Sequence, residues 1–198
     1  MKVLVVSPNN FSDTFSNGKT MKAIFSDFKK EELCQLFFRP YGELSFETCE
    51  NYYMLTDTDM VHSIYQPWKE IGTEISSVEE ANESSFNTNA QNRGRAYSSY
   101  LKQEIRELVW RLGRWRSKKL WEWLTKQKPD VIFVYAGYSR FINTISIDIH
   151  KRLNIPMVVL YPDDFMVYAP KTIFRKWIIK SNQKLLDSCS LYYAIGEE

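Results

Sequence analysis

Short, nearly unbroken apolar runs recur along the chain. KVLVV (2–6) opens it. LCQLFF (33–38), YYML (52–55), VIFVYA (131–136), PMVVLY (156–161) and LYYAI (191–195) follow. A strand covered on both faces reads as such a run, whereas a strand with one wet face alternates. Between the runs the period changes. Met21, Ile24, Phe25 and Phe28 fall at i, i+3, i+4, i+7, so 18–28 is expected to be a helix. Phe141, Ile145, Ile149 and Leu153 recur every fourth residue over 141–153, and 173–186 carries a similar face. A longer pattern over 97–126 places Leu101, Ile105, Leu108, Leu112 and Leu124 on its apolar side, with Gly113 weakening or bending it. Pro129 and Pro156 mark turns from helix into strand.

Strand–helix–strand alternation predicts an α/β fold, a Rossmann-like, doubly wound and mostly parallel sheet in a single domain. Residues 70–96 break the pattern. They are rich in Ser, Asn and Glu and are expected to form a polar loop inserted in that domain.

Composition narrows the function classes. The net charge of +2 on 198 residues makes no case for nucleic acid as a partner. That average hides a basic stretch: 93–119 holds nine Lys/Arg against two Glu. Arg106, Arg111, Arg114 and Arg116 interleave there with Trp110 and Trp115. Such a segment is either a solvated face whose apolar side packs on the sheet or a helix that lies on an anionic membrane; in the second reading Arg111, Arg114 and Trp115 meet the surface. Cys34, Cys49 and Cys189 are widely spaced and lack a C-x-x-C, which points to a reducing cytoplasm rather than a disulfide framework or a zinc site. No stretch approaches a membrane span and the N-terminal apolar run is short for a signal peptide, so any membrane contact is expected to be peripheral, on the inner face.

Candidate chemistry gathers at the ends of the expected strands, where open α/β sheets bind ligands. The loop 7–20 leads into a helix through Asn17, Gly18 and Lys19. A glycine at a helix N-terminus lets backbone N–H groups approach a phosphate, and lysine adds charge; the alternative is a polar turn with a helix-starting glycine. G-K-T at 18–20 is not a P-loop, because the first glycine would fall on Asp13. The dinucleotide glycine fingerprint is also missing. Tyr138, Ser139 and Arg140 follow VIFVYAG, and Arg140 either binds a ligand phosphate or carboxylate or caps the next helix. Asp163 and Asp164 follow PMVVLY, where carboxylates can accept from sugar hydroxyls or act as a base. Asp57-Thr58-Asp59 is a D-x-D that suits either Mg²⁺/Mn²⁺ or, better, a helix cap with an acidic first turn. His62 and His150 are expected to be structural, and no nucleophile–base pair is visible.

The opening MKVLVVSPNNFSDTFSNGKTMKAIFSDF resembles the start of group-1 glycosyltransferases, the retaining family built from two facing Rossmann-like domains (the GT-B arrangement). KPDVIFVYAGYSR, NIPMVVLYPDD and CSLYYAIGEE are similar to that family's later strands and strand-end loops. The resemblance implies the N-terminal, acceptor-side half of an enzyme that moves a sugar from a nucleotide-sugar to an acceptor hydroxyl, on a glycan or lipid-linked acceptor in cell-surface assembly. It implies that Asn17, Gly18 and Lys19 sit at the donor phosphate, that Tyr138, Ser139, Arg140 and Asp164 position acceptor, and that Asp163 is catalytic. No metal or other cofactor is implied. The donor-binding C-terminal domain lies outside this chain, so the isolated domain is expected to be inactive. Many relatives carry a His just after the fourth strand that touches the donor sugar, where this chain has Ala136-Gly137. A stand-alone module that binds a phosphorylated ligand or a protein is the competing reading.

Overall fold

The computed structural model describes residues 1–83, 100–162 and 173–194. A seven-stranded sheet runs through them in the order β4-β3-β2-β1-β5-β6-β7. The strands are β1 (Val3–Asn9), β2 (Leu33–Arg39), β3 (Asn51–Met54), β4 (Thr73–Ile75), β5 (Val131–Tyr135), β6 (Met157–Tyr161) and β7 (Leu191–Ala194). All neighbours pair in parallel except β3 and β4. The helices are α1 (Ser16–Ile24), α2 (Asp57–Tyr65), α3 (Val78–Glu83), α4 (Tyr100–Leu112), α5 (Lys118–Gln127), α6 (Arg140–Leu153) and α7 (Arg175–Ser188). The expected Rossmann-like, doubly wound architecture is therefore the observed one.

Central strands are mostly apolar because both faces are covered, with Gln35 of β2 a buried polar exception. Leu4, Val6, Leu36 and Val134 pack on one side with Trp110, Trp123, Ile145 and Leu185 of the helices. Val3, Val5, Leu33 and Phe37 face the other side with Met21 and Phe25 of the α1 region. The edge strand β7 is different: Leu191, Tyr192 and Tyr193 are about half exposed.

Two expectations change. Residues 73–75 and 78–83 of the expected loop form β4 and α3; β4 is recruited by edge pairing with Tyr52–Met54, which a polar sequence can satisfy through its backbone. Residues 84–96 lie outside the described residues. The pattern over 97–126 is two helices rather than one. Gly113 follows the end of α4, and a Cβ there would sit 2.8 Å from the Met60 sulfur, so the chain turns against α2 where the helix stops. Ser117 then caps α5 by accepting from the Leu120 N–H.

The face that α4 buries is also not the leucine stripe. Trp110 is 1% exposed and stacks on Phe141 at 4.0 Å, while Leu101, Ile105, Leu108 and Leu112 are 53–63% exposed. The indole decides the orientation: it buries more area than a leucine, and its N–H finds the Asp57 carboxylate at 2.6 Å.

Candidate functional site

Strand order reverses direction between β1 and β5: the chain builds β2 and β3 outward on one side and β6 and β7 on the other. The carboxyl ends of the strands splay at that point and leave a crevice, the usual ligand position in such sheets. A cavity of about 310 Å³ opens there. Pro8 of β1, Arg39 of β2, Tyr135 to Gly137 at the end of β5 and Pro162 after β6 line it, together with Asn17 of α1 and Glu104, Arg106 and Glu107 of α4.

The loop after β1 is held by buried polar groups. Gln35 sits fully buried in the middle of apolar β2, and its side chain accepts from the Phe11 N–H and donates to Ser7 Oγ and the Asn9 carbonyl. Asn10 donates to the Phe11 and Glu43 carbonyls and accepts from the Tyr41 N–H. A fully satisfied buried network fixes a loop in one conformation. Gly18 lies within this arrangement: a Cβ there would meet Ser12 N at 2.7 Å and the Asn10 carbonyl at 3.0 Å. Close packing of loop on helix thus accounts for the glycine. Phe15 precedes α1 without a side-chain cap, and Asn17 lines the crevice. Lys19 is exposed and lies outside the lining.

Opposite this loop, α4 supplies a lattice of charges. Arg106 Nε donates to both Asp57 oxygens at 2.7 and 2.9 Å, and its guanidinium lies 4.6 Å over the Phe141 ring. Burial pushes the Arg106 pKa down, and neighbouring Arg39 adds to the effect against the pull of Asp57. Arg106 Nη2 is buried without a hydrogen-bond partner among the described residues. Arg39 itself makes no ion pair with any described residue, so it brings an uncompensated positive charge to the crevice beside Arg106, whose charge Asp57 balances.

Arg140, expected to meet a ligand phosphate or carboxylate, is already engaged. Its Nη1 and Nη2 bind the two Glu104 oxygens at 3.1 and 2.6 Å, and Glu107 lies 3.8 Å from its Nε. A bidentate pair at 18% and 15% exposure leaves little for a ligand. Nor does Arg140 cap α6 with its side chain. Glu107 does, its two oxygens accepting the Arg140 and Phe141 N–H groups at 2.8 and 3.0 Å. Burial nevertheless outweighs Arg140 and these N–H groups and raises the Glu107 carboxyl from 4.5 to about 7.

Of the residues expected at the acceptor, Tyr138 and Ser139 line the crevice beside Arg140, and Ser139 Oγ lies 3.5 Å from Arg106 Nη1. Asp163 and Asp164 lie outside the described residues. The D-x-D is a helix start, as expected. Thr56 is the N-cap; Asp59 accepts from its N–H and hydroxyl, while Asp57 turns the other way to Arg106 and Trp110. No group of three metal-ligating side chains occurs among the described residues. His150 is structural, its Nδ1 2.7 Å from the Ile155 carbonyl. Trp115, expected at a membrane surface, is 5% exposed under the Arg116 guanidinium at 4.3 Å; Arg111 and Arg114 are exposed.

Arg39, Arg106 and Glu107 were not among the expected site residues. Arg39 carried a usable signal, since it ends LCQLFFR as a strand-end residue. Glu107 carried none, because its partners lie 33 and 34 positions away.

Neither family models nor curated proteins match this chain. What fold and site define together is a Rossmann-like α/β domain with a polar, cation-bearing crevice at its topological switch point. No helix among the described residues is long and apolar enough to cross a membrane.

Proposed function

We propose that this domain is the acceptor-side half of a nucleotide-sugar-dependent glycosyltransferase. The observation that carries the reading is the crevice at the β1/β5 switch point, about 310 Å³ in volume, with Arg39, Arg106, Tyr138 and Ser139 in its lining. A cavity of that size suits a monosaccharide-sized ligand bearing an anionic group. Hydroxyl and amide groups (Asn17, Tyr138, Ser139) are the chemistry that orients a sugar; two guanidiniums are the chemistry that holds a phosphate.

In this reading the acceptor is itself anionic, a sugar phosphate or a phosphate-linked lipid carrier. Arg39 and Arg106 grip its phosphate, and Tyr138 and Ser139 orient the hydroxyl to be glycosylated. Arg140 is a positioning residue: locked to Glu104, it fixes α4 against the start of α6. A second Rossmann-like domain holds the nucleotide in the proposed reaction, and Asn17 at the start of α1 faces the leaving diphosphate. The proposed reaction calls on no metal.

The competing reading is a binding module for a phosphorylated ligand. The same two arginines favour it, and it differs in having no transfer step. Titration calorimetry with hexose phosphates, the parent hexoses and nucleotide-sugars tests the site. Saturable binding of a hexose phosphate, with the parent hexose at least about tenfold weaker, is expected for a charge-assisted contact. Arg39→Ala is expected to remove that preference. Enzyme-like turnover of a nucleotide-sugar by these 198 residues alone would overturn the half-enzyme reading. Transfer by the gene product from a nucleotide-sugar to a phosphorylated acceptor separates transferase from module.

A further inference from the structure

The outward face of α4 is an apolar seam with no partner among the described residues. Leu101, Ile105, Leu108 and Leu112 follow one another at steps of four, three and four, each more than half exposed. The seam has apolar neighbours on both flanks. Val61 of α2 shares a surface groove with Ile105, and Trp177 of α7, 60% exposed, shares another with Leu108. Apolar surface spread over three helices in this way is larger than scattered exposed leucines account for.

Among the described residues, the exposed charges beside the seam are cationic. Lys102, Arg111 and Arg114 are exposed beside it, and Lys176 and Lys180 are exposed on α7 next to Trp177. The acidic residues of α4 do not oppose them. Glu104 and Glu107 are turned inward, each about 15% exposed and committed to Arg140 and the start of α6. On the α2 side, Asp57 is held by Arg106 and Asp59 by Thr56. An apolar stripe flanked by unopposed cations and an exposed tryptophan is complementary to an anionic lipid surface.

We infer that this face docks on an anionic bilayer, with the α4 seam entering the headgroup boundary and Lys102, Arg111 and Arg114 meeting lipid phosphates. Helix α4 carries the crevice residues Arg106 and Glu107 on its other side. Docking therefore holds the crevice within one helix diameter of the membrane, where a lipid-linked acceptor would present its phosphate. Leu101, Leu108, Leu112 and Trp177 lie outside the crevice lining, although Arg39 and Arg106 border the groove shared by Val61 and Ile105 as well as the crevice.

The test is co-sedimentation of the full chain with phosphatidylcholine vesicles, with and without about a quarter phosphatidylglycerol. Binding to the anionic vesicles alone is expected, weakening as salt rises. Leu108→Glu and the pair Arg111→Glu/Arg114→Glu should each lower partitioning by about tenfold or more while the circular dichroism stays unchanged. Tryptophan emission should shift blue on anionic vesicles, and Trp177→Phe should remove much of that shift. Hexose phosphate binding, read without vesicles, should be unaltered by Leu108→Glu, which keeps the two sites distinguishable. Equal binding to neutral vesicles overturns the electrostatic pairing. No vesicle binding, with a dimer in sedimentation velocity that Leu108→Glu dissolves, overturns the membrane assignment in favour of a second copy.

Discussion

Glu107 offers a test of how α4 is tied to the start of α6. Its carboxyl is raised from 4.5 to about 7, with burial as the largest cause. Glu107→Gln keeps the shape and removes the titration. The sign follows from linkage. Below about pH 4.5 the carboxyl is protonated in both folded and unfolded chains, so it makes no pH-dependent contribution. Between about 4.5 and 7 the unfolded chain releases the proton while the folded one keeps it, and stability falls as pH rises. Above about 7 the loss is complete. A gap from 4.5 to about 7 amounts to roughly 3 kcal/mol, at about 1.4 kcal/mol per pH unit. Urea denaturation of both proteins from about pH 4.5 to 8 reads this directly. The stability of the wild type relative to Glu107→Gln should decline by about 3 kcal/mol across that range, equivalent to roughly 6 to 12 °C in Tm for a chain this long. A constant offset fits only the local loss of one cap acceptor. Wild type gaining on the variant with rising pH would refute the reasoning, because it would mean that Arg140 and the α6 N–H groups outweigh burial.

Other expectations follow from the same lattice and core. Asp57→Ala should cost about 2 to 4 kcal/mol by leaving the Arg106 guanidinium and the Trp110 N–H unpaired, measured by urea denaturation; adding Mn²⁺ should change neither protein, and a metal-dependent stabilisation lost in the variant would revive the D-x-D as a metal site. Gly18→Ala should cost about 1 to 3 kcal/mol by pushing the Ser12 backbone away from α1, and amide exchange should rise in residues 10–12. Cys34 and Cys49 are buried, their thiols raised by burial, to about 12 for Cys34, so a thiol reagent should label Cys189 first in the native protein and the other two only on unfolding.

Much of the fold was legible because unbroken apolar runs and helical periods are both local signals. KVLVV and VIFVYA pair as β1 and β5 at the centre of the sheet. Less was legible where orientation depends on contacts distant in sequence. The leucines of α4 have a good helical period, yet Trp110 turns that face outward because Asp57 and Phe141 lie 53 and 31 positions away in the chain. β4 escaped notice because an edge strand is recruited by backbone pairing rather than by side-chain pattern. At the site, strand-end position correctly brought Tyr138 and Ser139 to the crevice. Position could not say that Arg140 would be paired with Glu104 and Arg106 with Asp57, or that Arg39 would be left without an ion pair among the described residues. Those outcomes are set by which charges pair first, and the partners come from separate helices.

The central claim is that the crevice at the β1/β5 switch point holds an anionic, sugar-sized ligand. Calorimetric titration of a hexose phosphate into the wild type and into Arg39→Ala tests it most directly. The account predicts saturable binding by the wild type, about tenfold or more weaker in the variant, with the parent hexose insensitive to the change. Binding that is equal in the two proteins, or absent from the wild type, would contradict it.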